Sequence, residues 1–227
     1  MKYKAAIFDM DGLLLDTERI FLNAFQKTCN VLDYNFDMSL FVKLIGTNSV
    51  KTKELLINGF GKGFNYERFR EKWIENVSDY LAHNSIPLKE GAVNILEKIK
   101  TIHLPMAVAT STRYNDAVKS LETAGIIDFF EFVVAGDQVT QGKPDPEIYQ
   151  KAAGKLGVKP DECIVFEDSE NGVKSANAAG MDVIQVPDLL EPSNELRALG
   201  HRIYDSLGDV CMDFERVFSG FPGRAVE

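Results

Sequence analysis

Short apolar runs recur along the chain at residues 3–8, 106–109, 132–135, 163–166 and 183–186. Each is followed by a turn signal and then by apolar positions at helical spacing. Strand-length runs alternating with helical segments predict βα units and a parallel sheet, an α/β doubly wound core of Rossmann-like type. Helical patterns at 114–124, 146–156 and 171–179 stop at Gly125, Gly157 and Gly180, residues suited to the left-handed position that ends a helix.

The alternation breaks between Thr17 and about Ser85, where amphipathic helices replace strands. Residues 17–32 place Phe21, Ala24, Phe25, Thr28 and Leu32 on one side of a helix. Asn65 is placed to cap a second helix carrying Tyr66, Phe69, Trp73, Val77 and Tyr80 at spacings of three and four. These aromatics read as the core of a helical bundle. The pattern thus predicts a core domain from residues 1–16 and 86–227, interrupted by a helical domain at 17–85. No internal repeat or low-complexity segment occurs, and residues 221–227 carry no pattern and are expected to fray.

The chain has 227 residues, 45% hydrophobic and 26% charged, enough apolar mass for a sizeable core. A formal charge of −9 opposes binding to nucleic acid or to an anionic membrane, because no basic cluster offsets phosphate repulsion. An anionic small ligand would have to be held by a local arrangement of cation, lysine and backbone N–H groups. Cys29, Cys163 and Cys211 are odd in number, far apart and without zinc-type spacing, which fits reduced thiols in a cytoplasmic protein. The apolar stretch before Asp9 is too short for a signal sequence, and no span approaches the ~20 apolar residues of a membrane helix.

Chemistry-bearing residues gather at the ends of the predicted strands. The first strand runs into Asp9-Met10-Asp11-Gly12, and residues two apart on extended backbone point the same way, so Asp9 and Asp11 face one pocket. Taken alone, an Asp-x-Asp is more often a solvated turn. The second strand ends in Thr110-Ser111-Thr112, which is either a phosphate-type anion site or a helix-capping cluster. Lys143 lies between turn residues in Gly142-Lys143-Pro144-Asp145-Pro146, where a surface lysine would be the default. The fourth strand ends in Glu167-Asp168-Ser169, an acidic pair that could equally serve a helix dipole. Together they place two acidic pairs, a hydroxyl and a lysine on successive strand ends of one sheet. Mg²⁺ takes hard oxygen ligands, and Asp9 and Asp168 with one oxygen of Asp11 could supply the protein's share.

These segments, from Asp9-Met10-Asp11-Gly12-Leu13-Leu14-Leu15-Asp16-Thr17 through Thr110 and Gly142-Lys143-Pro144-Asp145 to Glu167-Asp168-Ser169-Glu170-Asn171-Gly172, resemble the haloacid dehalogenase-like (HAD) hydrolase superfamily. The resemblance is to its subgroup with a helical cap inserted after the first motif, and covers nearly the whole chain. It implies a sheet core with a four-helix cap and, within the superfamily, a likeness to sugar-phosphate phosphatases and β-phosphoglucomutases. The activity it implies is hydrolysis of small phosphate monoesters by a monomer using Mg²⁺. In that reading Asp9 is the nucleophile, Asp11 the general acid and base, and Thr110, the Ser111 backbone and Lys143 the phosphate-binding groups. Asp9, Asp11 and Asp168 are the metal-site residues, with Glu167 beside them as a ligand or a ligand's support.

Related chemistries separate on single positions. A dehalogenase or phosphonatase of the superfamily has no need of an acid at Asp11. A phosphoglucomutase would bring an arginine in the cap loop to a second phosphate and carry a histidine shortly after the first motif. Here the matching positions are Ser49 and Phe21. A phospho-accepting receiver domain has similar residues in a different order, without a helical insertion after the first acidic pair.

Overall fold

The computed structural model describes residues 2–45, 47 and 49–219. Of Ser49 only the backbone is described, so the cap-loop substitution at that position lies outside the described residues, as does the tail at 221–227. In chain order the elements are β1 (Ala5–Phe8), α1 (Thr17–Val31), α2 (Met38–Val42), α3 (Ser49–Phe60), α4 (Tyr66–His83), α5 (Ala92–Thr101), β2 (Met106–Thr110), α6 (Tyr114–Thr123), β3 (Phe132–Ala135), α7 (Glu147–Leu156), β4 (Cys163–Glu167), α8 (Glu170–Ala178), β5 (Asp182–Gln185), α9 (Asn194–Arg197), β6 (Arg202–Ile203), α10 (Leu207–Met212) and α11 (Phe214–Ser219). The chain divides into two compact units, Met1–Leu15 with Pro87–Glu227, and Asp16–Ile86.

The first unit is built on a parallel sheet of order β3-β2-β1-β4-β5-β6 among the described residues. β1 lies between β2 and β4, with Ile7 opposite Ala107 on one side and Val165 on the other. The chain steps outward from β1 to β3, then crosses back to β4 and steps out the other way. The order therefore reverses at β1, and the crevice beyond the strands' carboxyl ends at such a point is where open sheets bind ligands. Every residue of β1, β2 and β4 is buried, because both faces of a parallel sheet are covered. Ala5 and Ile7 pack with Tyr149 and Ala152 of α7. Phe8, facing the other way, stacks on Phe166 with ring centroids 4.5 Å apart and meets Phe130 edge-on. β6 has no counterpart among the predicted runs; it is two residues long, half-exposed and begins with Arg202, so no apolar run marks it.

The second unit contains α1 to α4. Phe25 is fully buried at its centre, with ring centroids 5.2 Å from Trp73, 5.3 Å from Phe69 and 5.4 Å from Phe41. The Asn65 side chain caps α4 by accepting from Arg68 N–H. Of the expected apolar face of α1, Ala24, Phe25 and Thr28 are buried, with Ile20 beside them, whereas Phe21 is 42% exposed and lies edge-on to Trp73. On α4 the stripe ends at Val77, and Tyr80 is exposed. Among the described residues no helix is long and apolar enough to cross a membrane. Cys29 and Cys163 are buried and Cys211 is half-buried, all three as free thiols.

Candidate active site

The β1–β4 ladder continues one residue past the strand, where Asp9 N–H donates to the Phe166 carbonyl at 3.0 Å. This holds Asp9 at the sheet's carboxyl edge with its side chain buried. The turn that follows needs Gly12: its φ is +79°, and a Cβ there would overlap Asp168 Oδ2. A residue that looked like turn punctuation thus lets the backbone pass against an acidic side chain.

Lys143 is buried rather than solvated, its side chain only 5% exposed. Its ammonium donates to Asp9 Oδ1 at 2.5 Å, to Glu167 Oε1 at 2.5 Å and to the Ala109 carbonyl at 3.1 Å, and lies 5.0 Å from the Tyr149 ring centre. Burial alone would favour loss of the lysine's proton, but Asp9 and Glu167 outweigh it and hold the group charged. Each oxygen of Glu167 accepts two hydrogen bonds. Oε1 takes Lys143 and the Tyr149 hydroxyl at 2.8 Å, while Oε2 takes Ser169 N–H at 2.9 Å and Ser169 Oγ at 3.0 Å. Burial would raise the Glu167 carboxyl, yet Lys143 and these hydrogen bonds bring it below its ordinary value. Lys143→Met would leave the buried Glu167 carboxylate, beside Asp9, without its cationic partner, and about 3–5 kcal/mol of stability should be lost in chelator at neutral pH. Urea midpoints measure this, and the deficit should shrink as the pH falls and Glu167 takes a proton. An unchanged midpoint at neutral pH would contradict the buried geometry.

One carboxylate oxygen from each of Asp9, Glu167 and Asp168 lies within 4.8 Å of the others, all three residues being buried. Burial, with the negative charges of Glu167 and Asp11 added, pushes the Asp9 carboxyl up to about 8 despite Lys143. Such a concentration of buried acidic oxygens fits a divalent cation, whose charge would remove that penalty. Asp168 is also supported from behind. Gln185 Nε2, at the end of β5, donates to the Asp168 carbonyl at 3.1 Å, and the amide oxygen pairs with His201 Nε2 at 2.8 Å. With the amide oriented this way, His201 carries its proton on Nε2. Burial and the nearby Arg197 lower its pKa and favour the neutral ring.

The carboxylate of Asp11 stands apart from the three-acid group. Its Oδ2 accepts from Thr112 Oγ1 at 2.7 Å and Thr110 Oγ1 at 3.2 Å, and its side chain is not part of the buried acidic group to which the sequence expectation assigned one oxygen of Asp11. Thr110 is fully buried, whereas the side chain of Ser111 is exposed. The first N–H of α6 is not open to an anion, because Asp137 Oδ1 accepts from Tyr114 N–H at 2.9 Å.

Sequence reasoning named Asp9, Asp11, Thr110, Ser111, Lys143, Glu167 and Asp168, and all of them lie at the carboxyl edge of the sheet or on the loops leaving it. Tyr149, Gln185 and His201 were not singled out. Tyr149 shows only as an apolar position of α7, and Gln185 and His201 show no motif at all.

The chain belongs to the haloacid dehalogenase-like hydrolase family, which matches residues 6–186. It is 32% identical over 185 residues to a phosphorylated carbohydrates phosphatase of Thermotoga maritima, covering 80% of this chain and 83% of that protein. It is 30% identical over 187 residues to a fructose-1-phosphate phosphatase of Escherichia coli, covering 82% and 97%. The crystal structure of a β-phosphoglucomutase from Clostridium difficile shares the fold, with a TM-score of 0.74 at 22% identity over 95% of this chain and 96% of that one.

Proposed function

We propose that this protein is a Mg²⁺-dependent phosphatase that hydrolyses small phosphate monoesters, of the phosphorylated-sugar type, through an aspartyl phosphate on Asp9. The observation that carries the reading is the division of labour between the two aspartates. Asp9 is buried against Lys143 beside the acidic group, while Asp11 is held separately by threonine hydroxyls. A nucleophile and a proton carrier are needed in one crevice, and the two environments suit the two tasks.

In the first step Asp9 attacks phosphorus, the ester P–O bond breaks, and Asp11 gives its proton to the departing alkoxide. In the second, Asp11 takes a proton from water, whose oxygen attacks phosphorus; the bond from phosphorus to the Asp9 oxygen breaks, inorganic phosphate leaves and the carboxylate returns. Lys143, on releasing one of its present acceptors, and Thr110, with the Ser111 backbone, would hold phosphoryl oxygens. Asp9 and Asp168 would hold Mg²⁺, with Glu167 and one oxygen of Asp11 as its further neighbours. When bound, that cation would neutralise the repulsion between carboxylate and phosphate dianion. The helical unit Asp16–Ile86, inserted after the first acidic pair, is assigned as the cap that selects the leaving group.

The test is a panel of phosphate monoesters, including β-glucose 1-phosphate with its bisphosphate activator. Stoichiometric release of inorganic phosphate from several sugar phosphates is expected. Efficient isomerisation of β-glucose 1-phosphate with little phosphate released would replace this reading by a mutase.

A further inference from the structure

We infer that Thr112 is a positioning residue for Asp11, holding Oδ2 so that Oδ1 is the oxygen that exchanges protons with the leaving group and with water. This rests on the phosphatase reading above. Both threonine hydroxyls donate to the same atom, Asp11 Oδ2, at 2.7 Å from Thr112 and 3.2 Å from Thr110. In the free protein two donors occupy the lone pairs of that oxygen, so a proton on the carboxyl group resides there on Oδ1. With Thr112 still on Oδ2 when substrate is bound, Oδ1 remains the atom that protonates the alkoxide and later accepts the proton of water.

The two hydroxyls are not equivalent. Thr110 Oγ1 accepts from Thr112 N–H at 3.0 Å, which leaves its single hydrogen as its only means of donating. That hydrogen reaches Asp11 in the free protein, yet a phosphoryl oxygen needs it once substrate arrives. A hydroxyl cannot give one hydrogen fully to two acceptors. As the phosphoryl group takes the Thr110 donor, Thr112, at the shorter distance, retains Asp11. Thr110 thus exchanges partners on binding while Thr112 keeps the proton carrier aimed. Ser111, between them in the chain, turns its side chain to solvent and takes no part in this clamp.

Thr112→Val keeps the shape and the backbone N–H donor to Thr110 while removing the hydroxyl hydrogen. On an alkyl phosphate, whose leaving group must be protonated, kcat should fall by roughly 10–100-fold, a part of the usual general acid–base contribution, with little change in KM. On p-nitrophenyl phosphate the phenolate departs without a proton, so phosphorylation of Asp9 should stay fast while water attack is slowed. Rapid mixing should therefore show a burst of one p-nitrophenolate per protein followed by a slow steady state. Thr112→Ser should restore wild-type behaviour on both substrates. A burst slowed as much as the steady state would mean that the substitution damages the phosphate site, and would overturn the proposal. So would an unchanged kcat on the alkyl phosphate. A wild-type protein that releases no phosphate from either substrate would instead remove the phosphatase reading itself. Thr112→Ala, measured beside the valine variant, repeats the comparison if the latter folds poorly.

Discussion

Asp9→Asn is expected to abolish turnover, with a loss of about 10⁴-fold or more, as for removal of a nucleophile that acts together with its neighbours. The amide is nearly isosteric but cannot form the acyl phosphate. The fold should survive, because Asp9 is an acid whose carboxyl is pushed up to about 8 by burial and by Glu167 and Asp11. Removing a charge that the site resists should leave the metal-free protein as stable as the wild type or more so. Lys143 keeps Glu167 and the Ala109 carbonyl as partners. Phosphate release and urea midpoints measured on the same preparation test both halves. Turnover within about tenfold of wild type would remove the covalent mechanism on Asp9.

Chelation should abolish activity, Mg²⁺ should restore it, and Ca²⁺ should inhibit because its larger, looser shell disturbs in-line geometry. A readout independent of turnover is available. A cation that binds the native state and not the unfolded chain raises the melting temperature with its concentration. The sign of its pH dependence follows from Asp9. An acid whose folded pKa is raised from 3.8 to about 8 stabilises the metal-free protein below the unfolded value and loses that contribution as the pH rises through about 8. Proton and cation compete for the same carboxylate, so the stabilisation by Mg²⁺ should grow as the pH rises from 6 toward about 8. Full activity in excess chelator, or a melting temperature indifferent to Mg²⁺, would take the metal out of the mechanism.

The apolar runs and turn signals were sufficient to predict the parallel strands and the helical insertion, because strand and helix periodicities are local properties of a few residues. The same locality made the candidate site readable. Asp9, Thr110 and Asp168 lie at or just beyond strand ends, and the carboxyl edge of a parallel sheet places such positions together whatever the loops do. Local pattern failed where exposure depends on neighbours. Phe21 and Ile20 are both apolar and one residue apart on α1, and only the packing around Trp73 and Val77 buries Ile20 instead. β6 escaped because two half-exposed residues take strand conformation only by pairing with β5.

What tertiary structure alone decided is the wiring between motifs. Lys143 reads as a surface lysine until the loop brings it, across 134 residues of sequence, onto Asp9, and across 24 onto Glu167. The separation of Asp11 from the three-acid group, the Thr112 clamp on it and the Gln185–His201 support of Asp168 likewise join residues far apart in the chain. Residue type and spacing determined which groups stand at the sheet's edge. Which oxygen each group faces, and whether its charge is opposed or relieved, depends on strand register and burial, and these exist only once the chain has packed.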